Sequence, residues 1–184
     1  SLHSYRETLH LDAEHPEAQE GLLRCLERSD AWDEAARAME RQASRASDPG
    51  RRYKLLVELG ALLINRLGRR EAALARLEEA HRIFPQEPEA LRRLLAILEE
   101  SGEHARVISM AGDLAQLTTD AQEAHRLHMV RGRRLLEQLR RPDAAAEAFR
   151  RALESEPRDS EAVQGLVRAL AARQAWGEQA SILE

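Results

Sequence analysis

The sequence predicts an all-α fold built from antiparallel helix pairs that are repeated in tandem. One observation is an internal repeat, because His104 lies midway between Trp32 and Trp176, at an offset of 72 in the numbering from each. Another is the helical spacing of the apolar residues, with no alternating strand pattern in competition. The residues that coincide under the same shift are Gly60 with Gly132, Ala73 with Ala145, Ala80 with Ala152, Pro85 with Pro157, Ala90 with Ala162, Leu94 with Leu166 and Leu98 with Leu170.

Each repeating unit contains two similar halves. Stepping through Ala35, Ala73, Val107 and Ala145 gives spacings of 38, 34 and 38 along the chain, and each half reads as a helix, a short break and a second helix. The prediction is one domain over residues 1–184, with a partial repeat at 1–13 and helix pairs at about 16–47, 50–84, 88–117, 120–156 and 159–184. This gives about 11 helices. Because the chain starts inside a unit, we expect it to be a fragment of a longer repeat protein.

Prolines and apolar stripes define the individual helices. Proline cannot extend a preceding helix but can begin the next one, so Pro49, Pro85, Pro88 and Pro157 mark helix boundaries. Trp32 and Trp176 are each predicted to open a second helix after a tight turn, and the first helices of the longer halves are predicted to be about one turn longer than the others. The stripes are Leu91, Leu94, Leu95 and Leu98 on a first helix and Ala73, Leu77 and Ala80 on a second helix.

The composition limits the class of protein. Of the 184 residues, 33% are charged and 43% are hydrophobic, a balance that predicts a folded chain. The net charge of -4 without a basic block argues against nucleic acid as a partner. No apolar run reaches the roughly 18 residues of a membrane span, so we expect a cytoplasmic protein. Cys25 is the only cysteine and is predicted to be a small buried apolar group.

These repeats resemble the tetratricopeptide repeat family, in which helix hairpins of roughly 34 residues stack one on another. The resemblance implies a right-handed α-solenoid, a TPR-like superhelix, but not one function, because this fold hosts many roles. The first-helix signature departs from the family, since aliphatic residues stand where Trp, Gly and Tyr are frequent. The second-helix signature of an alanine, a bulky residue and a later proline stands as Ala73, Leu77 and Pro85 and again as Ala145, Phe149 and Pro157.

The sequence contains no convincing catalytic, cofactor-binding or metal site. A zinc site needs three or four ligands, and a carboxylate-bridged site needs further acidic residues on neighbouring helices. Cys25 has no histidine at helix-neighbour spacing, and no glycine-rich phosphate loop occurs. We therefore expect no enzyme activity and no cofactor. The histidine spacings that invite a metal, and that we interpret as solvated or partly packed, are Glu7 with His10, Glu78 with His81, and His125 with His128.

The resemblance implies that the first helices line a concave face on which a peptide or protein binds. On that face, arginines would meet acidic groups and aliphatic side chains would supply an apolar anchor. A merely solvated charged surface is equally compatible with these charges. The predicted partner-binding residues are Arg24, Arg92, Arg168, Glu20, Glu99, Leu55, Leu62, Asn65, Leu127, Val130 and Arg134.

The leading hypothesis is therefore a non-enzymatic protein–protein interaction scaffold with a protein or peptide partner, no nucleic acid and no membrane. The alternatives are a self-assembling structural segment and a regulatory arm of a larger protein. A homo-oligomer through uncapped ends is the form that self-assembly would take, because Ile182 and Leu183 need cover. A clamp for a chaperone tail is disfavoured, because Lys54 is the only lysine.

Overall fold

The structure, a computed structural model, describes the backbone of residues 29–183 and the side chains of 29–174, together with residues 4–5, 7–8, 15, 17–18, 21–22 and 24–25. Eight helices have defined bounds in this part of the chain, and it contains no strand. The predicted all-α fold is confirmed for these residues. The helices are α1 Trp32–Arg45, α2 Pro49–Asn65, α3 Arg70–Ile83, α4 Pro88–Leu98, α5 His104–Leu117, α6 Ala121–Glu137, α7 Pro142–Ser155 and α8 Ser160–Leu183.

The internal repeat is visible in the helix bounds. Under the repeat shift, α1, α2 and α3 coincide residue for residue with α5, α6 and α7. The first helices α2 and α6 have 17 residues each, whereas α4 has 11. The prediction of longer first helices in the longer halves is therefore confirmed.

Helix starts follow the proline positions. Pro49 and Pro88 are the first residues of α2 and α4, where the missing N–H removes no intrahelical hydrogen bond. At α2 the N-cap side chain is also satisfied, because the carboxylate of Asp48 accepts a 2.7 Å hydrogen bond from the backbone N–H of Arg51. Local chemistry thus defines this helix start.

Turns in the left-handed region precede the second helices. Asp30, Gly68, Gly102 and Arg140 have φ of 53°, 62°, 75° and 50°, and each lies two residues before α1, α3, α5 or α7 begins. Asp30 and Gly102 share one repeat position, and Gly68 and Arg140 share the other. Each of these four turns therefore has a residue in the left-handed region at the same distance from the following helix.

The chain divides into two compact units, residues 1–94 and 95–184. In the first unit α1 packs on α2 and α2 packs on α3. The α2–α3 contact is close, because a Cβ atom at Gly60 would lie 2.7 Å from Cγ of Leu77. A buried cluster of this unit consists of Ala43, Leu56, Val57, Ala80 and Ala90, with Tyr53, Leu55 and Ile83 packed against it.

In the second unit each of α5, α6 and α7 packs on the helix that follows it. Phe149 of α7 is fully buried and lies against glycines on both neighbouring helices. A Cβ atom at Gly132 of α6 would lie 2.8 Å from the Phe149 ring, and one at Gly165 of α8 would lie 2.5 Å from it. The buried cluster of this unit consists of Ile108, Met129, Leu135, Ala145, Ala146, Ala148, Phe149, Ala152, Ala162 and Ala169.

The helix count corrects the prediction. The described part of the chain has eight helices rather than the predicted 11 over the whole sequence. Residues 1–28, where two helices were expected, are described only in part. At residues 159–184 the predicted pair is one continuous helix, α8, because no glycine, proline, aspartate or asparagine interrupts the sequence between Gly165 and Gly177.

Candidate functional site

The candidate site is the exposed side of two first helices in the second unit, which we call the α6–α8 face. Helices α6 and α8 both pack on α7, and they also contact each other directly. Their exposed sides therefore lie next to one another. The residues of the α6–α8 face are Arg126, Arg133, Glu137, Glu161 and Arg168.

Two ion pairs connect α6 and α8 on this face, one with its arginine on α6 and the other with its arginine on α8. Nη1 of Arg133 on α6 lies 3.1 Å from Oε1 of Glu161 on α8, and Nη1 of Arg168 on α8 lies 3.9 Å from Oε1 of Glu137 on α6. All four side chains are largely exposed. Such exposed pairs contribute only about 0–1 kcal/mol each. Breaking either pair should therefore cost the protein little stability.

A third ion pair connects α6 to the end of α4 within the second unit. Nη1 of Arg126 lies 3.7 Å from Oε1 of Glu99, the residue that follows α4. This separation exceeds hydrogen-bond range, so the attraction is electrostatic without a shared proton. The predicted residue Glu99 thus belongs to the edge of the α6–α8 face.

Arg134 connects parts of the protein rather than reaching outward. Its Nη2 donates a 2.9 Å hydrogen bond to the backbone carbonyl of Glu99, and its Nη1 lies 2.7 Å from Nδ1 of His104. Because a guanidinium can only donate, Nδ1 of His104 accepts in this pair. We therefore assign Arg134 to the junction of α4, α5 and α6, and not to the partner surface predicted from the sequence.

The predicted apolar anchor lies largely in the core. Leu127 is 0% exposed and Leu62 is 9% exposed, so neither presents much surface to a partner. Leu55 and Val130 are half-buried, and Leu55 packs against the core cluster of the first unit. The predicted positions differ from the exposed ones for a geometric reason, because moving one residue along a helix turns the side chain by about 100°.

Arg126 and Arg133 were missed in the sequence for the same reason. Each directly precedes a residue that was chosen, Leu127 or Arg134. The signal that could have found them is the spacing of Arg126, Val130, Arg133 and Glu137, which lie on one side of a helix at intervals of four, three and four residues.

The remaining predicted residues lie in the first unit or in α8. Arg24 and Asn65 are exposed, as is Arg168. Arg92 is half-exposed, and its Nη1 lies 3.8 Å from Oε2 of Glu89 one turn earlier on α4. Glu20 lies outside the described residues. The structure thus brings together only the members that belong to α6, α8 and the end of α4.

His125 is engaged by neighbouring groups of the same unit. Its Nδ1 lies 3.0 Å from the backbone carbonyl of Ala152, and its Nε2 lies 3.0 Å from Oδ2 of Asp159 and 3.9 Å from Oε2 of Glu156. Each ring nitrogen therefore faces an oxygen acceptor, and neither is left to activate a nucleophile. His125 connects α6 to the segment between α7 and α8.

His128 lies one turn further along α6. Burial, followed by the nearby charge of Arg131, lowers its pKa below the usual value. Among the described residues, no three or more His, Cys, Asp or Glu side chains are grouped so that they could hold a metal ion. Cys25, predicted to be a small buried apolar group, is free and half-buried. None of the helices in the described part of the chain combines the length and apolar character of a membrane span.

Known proteins share this helical-repeat architecture. The model of a family described as tetratricopeptide repeat matches residues 1–50 and 130–184, which together exceed half of the chain. No curated protein matches the sequence.

Several solved structures share the fold at low sequence identity. The crystal structure of YrrB, described as a TPR protein with an unusual peptide-binding site, has a TM-score of 0.57 and 18% identity, and the match covers 89% of this chain and 80% of YrrB. MamA matches with a TM-score of 0.59 and 18% identity over 87% of this chain and 89% of MamA. A tetratricopeptide repeat protein from Parabacteroides merdae ATCC 43184 matches with a TM-score of 0.58 and 19% identity over 96% of this chain and 62% of its own. With the family model matching more than half of the sequence, and with the hairpin packing described above, the chain belongs to the tetratricopeptide repeat family.

Proposed function

We propose that the protein is a non-enzymatic interaction scaffold that binds a peptide or an extended segment of a protein on the α6–α8 face. The observation that carries the proposal is the pair of opposed ion pairs, Arg133 with Glu161 and Arg168 with Glu137. Membership of the tetratricopeptide repeat family supports an interaction scaffold, and the description of YrrB supports a peptide as the class of partner.

Charge exchange explains how such a surface binds. In the free protein, the arginines and glutamates of the α6–α8 face neutralise each other across the helices. A peptide carrying both signs offers each group a new partner, and the contact is shielded from water once the peptide covers it. The half-buried Val130 lies between Arg126 and Arg133 in sequence and adds an apolar contact to this face.

The spacing along α6 specifies the peptide. Arg133 follows Arg126 by two turns of the helix, and at 1.5 Å per residue this places their Cα atoms about 10 Å apart. An extended peptide covers that distance in about three residues. Glu137 follows one turn later, about 6 Å further, which is about two peptide residues. We therefore propose a ligand with acidic residues three apart and a basic residue two positions beyond, lying along α6.

The first unit retains a smaller part of the proposed surface. Arg24, Asn65 and Arg92 are exposed or half-exposed on its first helices. They remain proposed contacts for a partner of the same charge pattern. Leu62 and Leu127 are left out, because they are buried.

The test is a fluorescence-anisotropy titration of the protein against a synthetic peptide with this charge pattern and against a scrambled peptide of identical composition. Replacing Arg126 and Arg133 by glutamate is expected to weaken binding at least ~10-fold and to reduce its salt dependence. The matched control replaces Arg150 and Arg151 by glutamate as well. These two arginines are exposed on α7 and pair with Glu147 of the same helix. That control is expected to change binding less than ~2-fold.

Equal affinity for the patterned and scrambled peptides would contradict the proposed recognition. An equal effect of the α6 and α7 charge reversals would show that net charge, and not this face, determines binding. Tight, salt-dependent binding of single-stranded RNA in the same assay would contradict the expectation that nucleic acid is not a partner. Detection of the protein outside the cytoplasm would contradict the expected compartment.

Self-assembly is the alternative function that a specific observation favours. Helix α8 exposes apolar side chains that the corresponding part of α4 buries. This observation concerns a different surface, the exposed side of α8 away from the α6–α8 face. A regulatory arm of a larger protein remains an alternative role for the same α6–α8 face.

A further inference from the structure

Helices α5 and α7 both pack on α6 but do not contact each other. The groove between them, which we call the α5–α7 groove, contains Gly112, His128, Arg131 and Arg151. A Cβ atom at Gly112 of α5 would lie 3.5 Å from Cζ and from Nε of Arg131, so this guanidinium lies against the α5 backbone. His128 lies within range of the charges of Arg131 and of Arg151 on α7. The groove therefore brings together one histidine and two arginines from neighbouring helices.

The first unit fills the same repeat positions with its own ion pairs. Nη2 of Arg76 lies 3.2 Å from Oε1 of Glu40, and its Nη1 lies 3.1 Å from Oε2 of Glu79. One repeat later, Arg76, Glu40 and Glu79 are replaced by Ala148, Gly112 and Arg151. Both carboxylates are thus lost from the second unit, and one of them is replaced by a cation. The α5–α7 groove gains positive charge where the first unit is neutralised.

The cations of the α5–α7 groove have unpaired nitrogens. Nε of Arg131 and Nδ1 of His128 are buried without a hydrogen-bond partner. In the part of the chain that the structure describes, no acidic side chain pairs with Arg131. Burial, followed by the charges of Arg131 and Arg151, lowers the pKa of His128, as expected where positive charge is in excess. Because His128 and Arg131 are only half-buried, part of each side chain is accessible to a solute.

We propose that the α5–α7 groove binds the phosphate group of a small solute, held by Arg131, His128 and Arg151. A guanidinium donates two parallel hydrogen bonds to a phosphate, and the double charge of phosphate matches two permanent cations better than a single carboxylate does. Arg131 lies two residues before Arg133, which is about 200° around α6. The α5–α7 groove is therefore on the opposite side of α6 from the α6–α8 face, and the two sites are independent.

Phosphorus NMR of inorganic phosphate, titrated with the 184-residue protein at constant ionic strength, tests the proposal, and saturable binding is the expected result. Arg131→Leu introduces the leucine of the first unit, Leu59, and is expected to weaken phosphate binding at least ~10-fold. Arg45→Leu is the matched control, because Arg45 is exposed at the end of α1 and its own repeat counterpart is Leu117. That control is expected to change binding less than ~2-fold. Circular dichroism shows whether both variants keep the same helix content.

A second variant supplies the missing carboxylate from within the protein. Gly112→Glu places an acidic side chain beside Arg131, as Glu40 lies beside Arg76 in the first unit. The 3.5 Å distance at the Cβ position is an ordinary contact, so the backbone need not move. Gly112→Glu is expected to raise the melting temperature without phosphate and to lose phosphate binding, although every cation is retained. Gly112→Gln, which is similar in size but neutral, is the matched control and is expected to keep phosphate binding.

Three results would overturn the proposal. The first is the absence of saturable binding to the original protein. The second is equal weakening by Arg131→Leu and Arg45→Leu, because net charge and not the groove would then determine binding. The third is phosphate binding that survives in Gly112→Glu.

A phosphoserine peptide distinguishes the source of the phosphate group. Inorganic phosphate is expected to bind at least as tightly as this peptide, because the cations of the groove are half-buried between two helices. A phosphoserine peptide that binds more tightly than inorganic phosphate and than its own unphosphorylated form would overturn the assignment to a small solute.

Discussion

The hairpin of α2 and α3 and the hairpin of α6 and α7 have identical helix bounds under the repeat shift, but different interiors. In the first unit, Gly60 leaves room for Leu77. In the second unit, the larger Phe149 takes the place of Leu77 and needs two glycines, Gly132 and Gly165. The larger wedge, Phe149, thus stands against a glycine of α8 where the equivalent residue of α4 is Arg93. The helix bounds are the same in both hairpins.

The polarity of the two interiors also differs. Leu56 and Leu59 are fully buried on α2, whereas His128 and Arg131 occupy these positions on α6 and are only partly buried. At another equivalent position, Tyr53 makes an edge-on contact with Phe84, with ring centroids 5.6 Å apart, where α6 carries His125. At these positions α6 therefore places partly buried polar side chains where α2 has two leucines and a tyrosine.

The largest effect on stability is expected when the wedge residues, Phe149 and Leu77, are truncated to alanine. Phe149→Ala should lower the free energy of unfolding by about 3–5 kcal/mol, and Leu77→Ala by about 2–5 kcal/mol, because the phenylalanine leaves the larger cavity. Urea unfolding followed by circular dichroism measures both losses. A smaller loss for Phe149→Ala than for Leu77→Ala would show that the second hairpin relaxes into the cavity and that the wedge is not its main support.

The second glycine is tested by a double-mutant cycle. Gly165→Ala is expected to lose about 1–3 kcal/mol by overpacking, because the new Cβ atom would meet the Phe149 ring at 2.5 Å. The gain in helix propensity offsets up to about 1 kcal/mol of this loss. In a Phe149→Leu background, the same substitution should be neutral or stabilising. Additive effects in urea unfolding would show that Gly165 and Phe149 are not coupled.

Replacing a buried polar group in the second unit by its counterpart from the first should stabilise the protein. His128→Leu is expected to raise the free energy of unfolding by about 1 kcal/mol near neutral pH, because Nδ1 of His128 is buried without a hydrogen-bond partner.

His128→Leu should also remove part of the decrease in the free energy of unfolding at acid pH. The pKa of His128 is lowered from 6.5, mainly by burial, so the unfolded chain binds a proton before the folded one does. The contribution of neutral His128 to the stability of the fold is fully present above pH 6.5 and is lost as the pH falls through the lowered pKa of the folded state. Urea unfolding at a series of pH values measures this. An unchanged acid dependence in His128→Leu would assign the effect to another group.

The smallest effect is expected at Tyr53. Tyr53→Phe keeps the ring contact with Phe84 and should change the free energy of unfolding by less than about 0.5 kcal/mol at neutral pH. Burial raises the pKa of Tyr53 above 10.0, so the unfolded chain loses its proton first as the pH rises. Stability should fall above pH 10.0 in the original protein and less in Tyr53→Phe. Equal alkaline curves would contradict this assignment.

The sequence predicted the repeat and its helix type well, because glycine, alanine and proline at fixed positions reflect close packing and helix boundaries directly. The continuous α8 was not predicted, because the match of Trp176 to Trp32 suggested a second helix. The turn position two residues before the helix is Asp30 or Gly102 in the other copies, whereas α8 has Gln174, a better helix former, there. Arg140 shows that a good helix former can also adopt the turn, so this position alone does not predict the continuous helix.

The candidate site was predicted less well than the fold. The exposed arginine of α8 was chosen correctly as a surface residue, but on α6 the prediction selected Leu127 and Arg134 instead of Arg126 and Arg133. Local periodicity identifies an amphipathic helix, but α6 is contacted by α5, α7 and α8. Which side remains open is set by those neighbours, which the sequence of one helix does not specify.

The left-handed turns at Gly68 and Gly102 have a backbone conformation that suits a D-amino acid. At Gly68 and Gly102 an added Cβ atom would meet nothing within 4 Å, so the obstacle to a larger residue is the chirality of the natural amino acids. A D-alanine introduced by chemical ligation has the opposite preference and fits these φ values. By restricting the unfolded chain, it should stabilise each turn by about 0.4–1 kcal/mol. Proteases that act only on L-residues would then find these linkers resistant.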